Sequence, residues 1–139
     1  MSRLYHQTPL IESLALTRRW QRPVWLKLEA LQPSGSFKLR GIGLFCQQQV
    51  LNHGARGFVA SSGGNAGLAV AYAARHLGVP ATIFVPEQTR EVFLSRLNLE
   101  GATVIKAGRV WDETHAAALA FCDHANGNNN HGQGEQGLI

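Results

Sequence analysis

Lys38 stands between a run of small residues and an expected helix, in the stretch QPSGSFKLRG (32–41). A protonated alkylamine, with a reference pKa of about 10.4, cannot attack a carbonyl. Burial beside an apolar ring such as Phe37 favours the neutral form. The first turn of a helix, whose dipole disfavours a cation, acts in the same direction. A lysine so placed suits Schiff-base chemistry. Spacing alone still favours the blander alternative, a solvated lysine that follows a turn.

A second stretch, SSGGNAG (61–67), lies between an expected strand and an expected helix. Its glycines allow close backbone approach to a ligand, and the helix start offers free N–H groups to an anion. A phosphate and a carboxylate are both compatible with it. It has neither the G-x-G-x-x-G order of a dinucleotide fingerprint nor the Gly-Lys-Ser/Thr of a P-loop. A lone Gly-rich turn is more often a tight strand-to-helix connection than a binding loop.

Other candidates carry less. His6, His53, His76, His115, His124 and His131 show no metal-ligand spacing. Asp112 and Glu113 open an expected helix and read as partners of its dipole. Trp20, Trp25 and Trp111 are dispersed and read as core residues. Cys46 and Cys122 are far apart, so a disulfide between them is not expected.

The elements that position these residues follow from periodicity. VWLKLE (24–29) alternates and predicts a strand. Ser36 is the expected N-cap of a helix running to about Asn52, with Gly54 as its C-terminal cap. A strand over 57–61 leads to a helix over 65–77, ended by Gly78. The cycle repeats with a strand over 81–85, a helix over 90–99 capped by Thr89 and stopped by Gly101, a strand over 102–107 and a helix over 110–125. Strands and helices alternating at short spacing imply a parallel sheet. The tail, NGNNNHGQGEQGLI (126–139), has too little apolar surface to order itself and is expected to be a loose end.

The 139 residues suffice for one domain with a core. A hydrophobic content of 45% with 16% charged residues is a globular composition. The net charge of +4 is spread along the chain, without the clustered patch that nucleic acid requires. No signal peptide and no run of membrane-spanning length is apparent, so a reducing cytoplasm is the expected location.

PSGSFKLRG and SSGGNAG together are far more specific than either alone. With TPL (8–10), VWLKLEALQPSGSFKLRGIG (24–43), AYAARHLGVPATIFVPE (71–87) and NLEGATV (98–104), the sequence resembles the fold-type II pyridoxal-phosphate enzymes. Within them it is most similar to the serine dehydratases, or serine/threonine ammonia-lyases, which share the Gly64-Asn65-Ala66-Gly67 form of the second loop. The resemblance implies an α/β fold of the tryptophan synthase β-like kind, an open parallel twisted sheet with helices on both faces in three α/β/α layers. It implies that residues 1–45 begin the large catalytic domain, that 46–125 form the small α/β domain, and that 126–139 are a Gly/Asn-rich tail. The family's later half, with its phosphate-binding loop, its partner for the pyridine nitrogen and its cation site, has no counterpart in the sequence. A truncated, internally deleted or frame-disturbed chain is therefore expected.

By the same resemblance, Lys38 holds pyridoxal 5'-phosphate as a Schiff base, Phe37 packs on its ring and Asn65 bonds the ring hydroxyl. Ser62, Gly63, Asn65 and Ala66 grip the substrate carboxylate. The implied reaction is α,β-elimination of L-serine, and of L-threonine, to pyruvate or 2-oxobutanoate and ammonia, with Lys38 as general base. The alternatives are an inactive fragment or partner-binding remnant of such an enzyme, and a racemase or β-replacement enzyme on the same scaffold. The implied partners are a small amino-acid substrate and, for the full-length family, a second copy in a homodimer. Neither nucleic acid nor membrane is expected.

Overall fold

The computed structural model describes residues 2–127 and 137–138. The chain runs β1 (Leu10–Glu12), α1 (Leu14–Trp20), β2 (Trp25–Lys27), a 3-10 turn (Glu29–Leu31), α2 (Lys38–His53), β3 (Phe58–Ser61) and α3 (Asn65–Leu77). β4 (Ala81–Val85), α4 (Glu91–Leu99), β5 (Thr103–Lys106), α5 (Trp111–Gly127) and β6 (Gly137–Leu138) follow.

Four strands pair in the order β5-β4-β3-β6, all parallel. The expected parallel α/β sheet is therefore present. β3 and most of β4 are buried on both faces, which is why their sequences are continuously apolar rather than alternating. Residues of opposite parity face opposite layers. Phe58, Ala60, Ile83 and Val85 pack against α3 and α4 through Leu68, Ala71, Leu94 and Leu97. Val59 and Phe84 pack against α5 through Ala118 and Cys122. Helices thus cover both faces, and α2 lies outside α3, adding Cys46 to the first cluster. Cys46 and Cys122 are free and sit in different clusters.

Glycine stops are where the sequence predicts them. Gly54, Gly78 and Gly101 all have positive φ at the ends of α2, α3 and α4. The helix starts differ from expectation. α2 begins at Lys38, with Phe37 in its N-cap position and no side-chain cap. The Ser36 hydroxyl is buried and has no hydrogen-bond partner among the described residues. The start is instead a tight turn closed by Leu39 N–H to the Ser36 carbonyl at 3.4 Å and Arg40 N–H to the Phe37 carbonyl at 3.0 Å. Thr89 likewise makes no cap; Arg90 takes that position in extended geometry.

The N-terminal segment departs most. β2 is shorter than the expected strand and pairs antiparallel with β1, apart from the main sheet. The sequence reading missed β1 and α1. Trp20, Trp25 and Trp111, read as core, are each more than half exposed. The tail reading is also corrected: α5 continues to Gly127, and Gly137–Leu138 lie beside Phe58 and Val59 as β6. The rest of the tail, 128–136 and Ile139, lies outside the described residues.

Candidate active site

The 61–67 loop follows β3 at the carboxyl edge of the sheet. The chain steps outward from β3 to β4 and β5, then returns through α5 to place β6 on the other side of β3. The direction of winding reverses at that strand. Crevices outside such a switch point are where open parallel sheets bind ligands. The loop is held by close approach. A β-carbon on Gly63 would meet Thr89 Oγ1 at 2.8 Å, and one on Gly67 would collide with the Ser62 carbonyl oxygen. Gly64 N–H donates to Ser62 Oγ at 3.4 Å. The first intrahelical bond of α3 is Leu68 N–H to the Gly64 carbonyl. The N–H groups of Asn65, Ala66 and Gly67 consequently have no backbone acceptor among the described residues. With the dipole of a 13-residue helix behind them, they suit an anion. Ser62, Gly63 and Ala66 are partly exposed at this end, and Asn65 is exposed.

Lys38 opens α2 on a turn tied to α4. Arg96 Nη2 donates to the Ser34 carbonyl at 3.2 Å, and its guanidinium fills the space beside Gly35, whose φ is +82°. On the other side, Arg40 Nε and Nη2 fork onto Glu29 at 2.8 and 2.7 Å, and Glu29 also accepts from Thr8 at 2.6 Å. These donors, Arg40 first, hold the Glu29 carboxyl down at about 2. Lys38 itself is exposed. Its Nζ lies 5.3 Å from the centroid of the Phe37 ring, which is 58% exposed. The burial of Lys38 expected from its apolar neighbour is therefore not found; the ring stands beside the amine without enclosing it. The chain has two other lysines, Lys27 and Lys106, and Lys27 Nζ is engaged with the Thr8 carbonyl at 2.6 Å.

α4 is the common support. Gly63 closes on Thr89 just ahead of it, and the Lys38 turn docks on Arg96 within it. α2 and α3, which begin with Lys38 and Asn65, pack side by side. The structure brings Phe37 with Lys38, and Ser62, Gly63, Asn65 and Ala66 with one another. No hydrogen bond joins the two groups among the described residues, although the helices that carry them pack together. Sequence reasoning missed Arg96, Trp111 and His115. Trp111 Nε1 donates to the Ser61 carbonyl at 2.9 Å, and Ser61 Oγ lies 2.9 Å from His115 Nδ1. Trp111 and His115 being four residues apart on an expected helix was the available signal.

A parallel α/β layer thus carries an amine-bearing turn and a loop with open N–H groups as its candidate site. Residues 1–133 match the family described as "Pyridoxal-phosphate dependent enzyme", and the chain belongs to that family. The chain is 57% identical over 111 residues to a serine dehydratase-like protein of Homo sapiens, covering 80% of this chain and 33% of that protein. It is 50% identical over 118 residues to the L-serine dehydratase/L-threonine deaminase of Homo sapiens, covering 85% of this chain and 36% of that one. Among solved structures, a fungal L-serine ammonia-lyase from Rhizomucor miehei superposes with a TM-score of 0.83 at 37% identity, over 98% of this chain and 40% of that one. The chain thus spans about a third of the length of the curated relatives it matches.

The donor set fits pyridoxal phosphate. Lys38 offers a solvent-facing primary amine to an aldehyde, Phe37 an open ring face, and Asn65 an exposed amide. No described helix is long and apolar enough to cross a membrane.

Proposed function

We propose that this chain carries the amine and carboxylate-binding parts of a site for α,β-elimination of L-serine and L-threonine, yielding pyruvate or 2-oxobutanoate and ammonia. The observation that carries this reading is the 61–67 loop, with three N–H groups open at the start of α3 beside the Ser62 hydroxyl. The relatives named for serine and threonine chemistry support the same assignment. Pyridoxal 5'-phosphate, when bound, supplies an electron sink beside the substrate Cα. Lys38 is its covalent anchor and the base that takes the Cα proton. Phe37 covers the cofactor ring and Asn65 bonds its hydroxyl. Ser62, Gly63, Asn65 and Ala66 hold the substrate carboxylate and so fix which bond at Cα faces Lys38 Nζ. The free thiols suit a reducing, cytoplasmic setting.

The exposure of Phe37 and Lys38 favours a second statement about the 139-residue chain alone: it binds the cofactor and turns serine over slowly. A misplacement of about 1 Å costs on the order of 100-fold in rate, and an exposed amine is not held to that tolerance.

The test is borohydride trapping with pyridoxal phosphate, followed by mapping of the three lysines and by pyruvate release from L-serine. The expected result is an adduct on Lys38 in preference to Lys27 and Lys106, diminished by L-serine, with little pyruvate. An even distribution over the three lysines, unaffected by L-serine, overturns the site. Saturable pyruvate release that disappears in Lys38→Ala overturns the second statement and leaves the first standing.

A further inference from the structure

Ser61 ends β3 and is gripped twice by the first turn of α5. The Trp111 indole N–H holds its carbonyl, and His115 Nδ1 meets its hydroxyl, each at 2.9 Å. The two rings stack, with centroids 4.8 Å apart and planes within 10°. Ser61 is buried, whereas Trp111 is 56% exposed, so the indole is placed by this contact and not by core packing. The turn that carries both rings is itself fixed. Thr114 Oγ1 donates to the Ala107 carbonyl at 2.6 Å, and Arg109 N–H donates to Glu113 Oε2 at 2.6 Å.

The peptide unit joining Ser61 to Ser62 is planar, with its C=O and N–H pointing in opposite directions. An indole that fixes the Ser61 carbonyl therefore also keeps the Ser62 N–H turned toward the Phe84 carbonyl of β4, in the register that pairs Ser61 with Phe84, and so sets where Ser62 presents its hydroxyl, the donor it keeps for a ligand while accepting from Gly64 N–H. His115 prevents the same residue from rotating about its side chain. We propose that Trp111 and His115 are positioning residues that aim Ser62, through Ser61, at the carboxylate of the bound amino acid. This rests on the carboxylate reading of the loop.

The test uses the full chain and amide NMR, titrated with L-serine. Three variants separate the contacts. Trp111→Phe keeps a stacking ring and loses the donor. His115→Leu loses the bond to Ser61. His115→Asn keeps it, because an asparagine amide atom lies where the imidazole Nδ1 lies, two bonds beyond Cβ. In wild type, saturable shifts of the Ser62–Ala66 amides are expected. Trp111→Phe and His115→Leu should raise the midpoint serine concentration and speed Ser62 amide exchange, each roughly 3- to 10-fold, the worth of one ordinary hydrogen bond. His115→Asn should restore both to near wild type, and β4 amides should be unchanged throughout. A purely structural tie would move the β4 amides and the stability while leaving the midpoint alone.

Equal midpoints in wild type, Trp111→Phe and His115→Leu overturn the proposal and spare the carboxylate reading. Absence of any loop shift in wild type overturns the carboxylate reading and this proposal with it. Should His115→Leu lose the β4 signature, Trp111→Phe decides, since it leaves the ring stack in place.

Discussion

Adding one methyl group at Gly67 tests the loop geometry directly. Gly67 is in the first turn of α3, where replacing glycine by alanine ordinarily stabilises a helix by about 1 kcal/mol. Here the new Cβ would run into the Ser62 carbonyl oxygen and lie 3.1 Å from Ile83 Cγ2. The first obstacle is backbone, so no side-chain rotation relieves it. The 62–64 segment must retreat by on the order of 1 Å before ordinary contact at about 3.5 Å is restored. Forced overpacking of a buried site costs about 3 kcal/mol at the upper end of its range, so the net loss for Gly67→Ala is about 2 kcal/mol. Gly41 is the control. It is also helical, in α2, with nothing within 4 Å of an added Cβ, so Gly41→Ala should stabilise by about 0.5–1 kcal/mol. Urea unfolding of the two variants beside wild type should give midpoint shifts of opposite sign. The same retreat should abolish the response of the Ser62–Ala66 amides to L-serine. A Gly67→Ala variant as stable as wild type, with an intact loop response, would refute the close-approach reasoning.

Lys38→Ala and Lys38→Arg should each abolish the Schiff-base absorbance with pyridoxal phosphate, since a guanidinium stays charged; retention in either moves the anchor to another lysine. Glu29, with a folded pKa of about 2 below its ordinary 4.5, contributes stability that is complete above pH 4.5 and is lost as pH falls toward 2. Glu29→Gln should flatten that segment of the urea-midpoint profile, and a profile parallel to wild type would count against the Arg40 fork. The exposed apolar residues of the N-terminal segment, Leu10, Ile11, Trp20 and Trp25, should drive self-association. Sedimentation velocity should show mass rising with concentration, and less so in Trp25→Ser; a monodisperse monomer with protected amides in β2 would contradict this.

The α/β layer was legible because its signals are local and redundant. ATIFV is apolar throughout and is buried on both faces, and Gly54, Gly78 and Gly101 end their helices with positive φ. Helix starts were less legible. A serine before a helix is a cap only if its hydroxyl reaches an N–H, and Ser36 instead lies buried in a turn closed by backbone bonds. VWLKLE alternates correctly, yet alternation states which residues share a face and not whether anything covers it. Trp25 and Leu26 are exposed although β1 pairs beside them, since pairing along a strand edge does not cover its faces. The ties between Ser61 and α5 span some fifty residues of sequence and leave no pattern in the loop itself.

The two halves of the candidate site stand on different physical footings. The 61–67 loop grows out of β3, whose residues are all buried, and continues into α3, whose Leu68, Ala69 and Val70 are buried in turn. Its position is set by apolar burial on both sides, so it should open only with the sheet. The turn leading to Lys38 is attached by polar contacts, Arg96 to the Ser34 carbonyl and Arg40 with Thr8 to Glu29, with the fully buried Leu39 as its apolar anchor just beyond. Such contacts exchange with water at small net gain, and they leave Ser34 and Ser36 hydroxyls buried without partners among the described residues. Unsatisfied buried hydroxyls raise the energy of this arrangement of the turn. The 61–67 loop is therefore built in advance, and the Lys38 side chain, exposed at the start of α2, is the freer part of the candidate site.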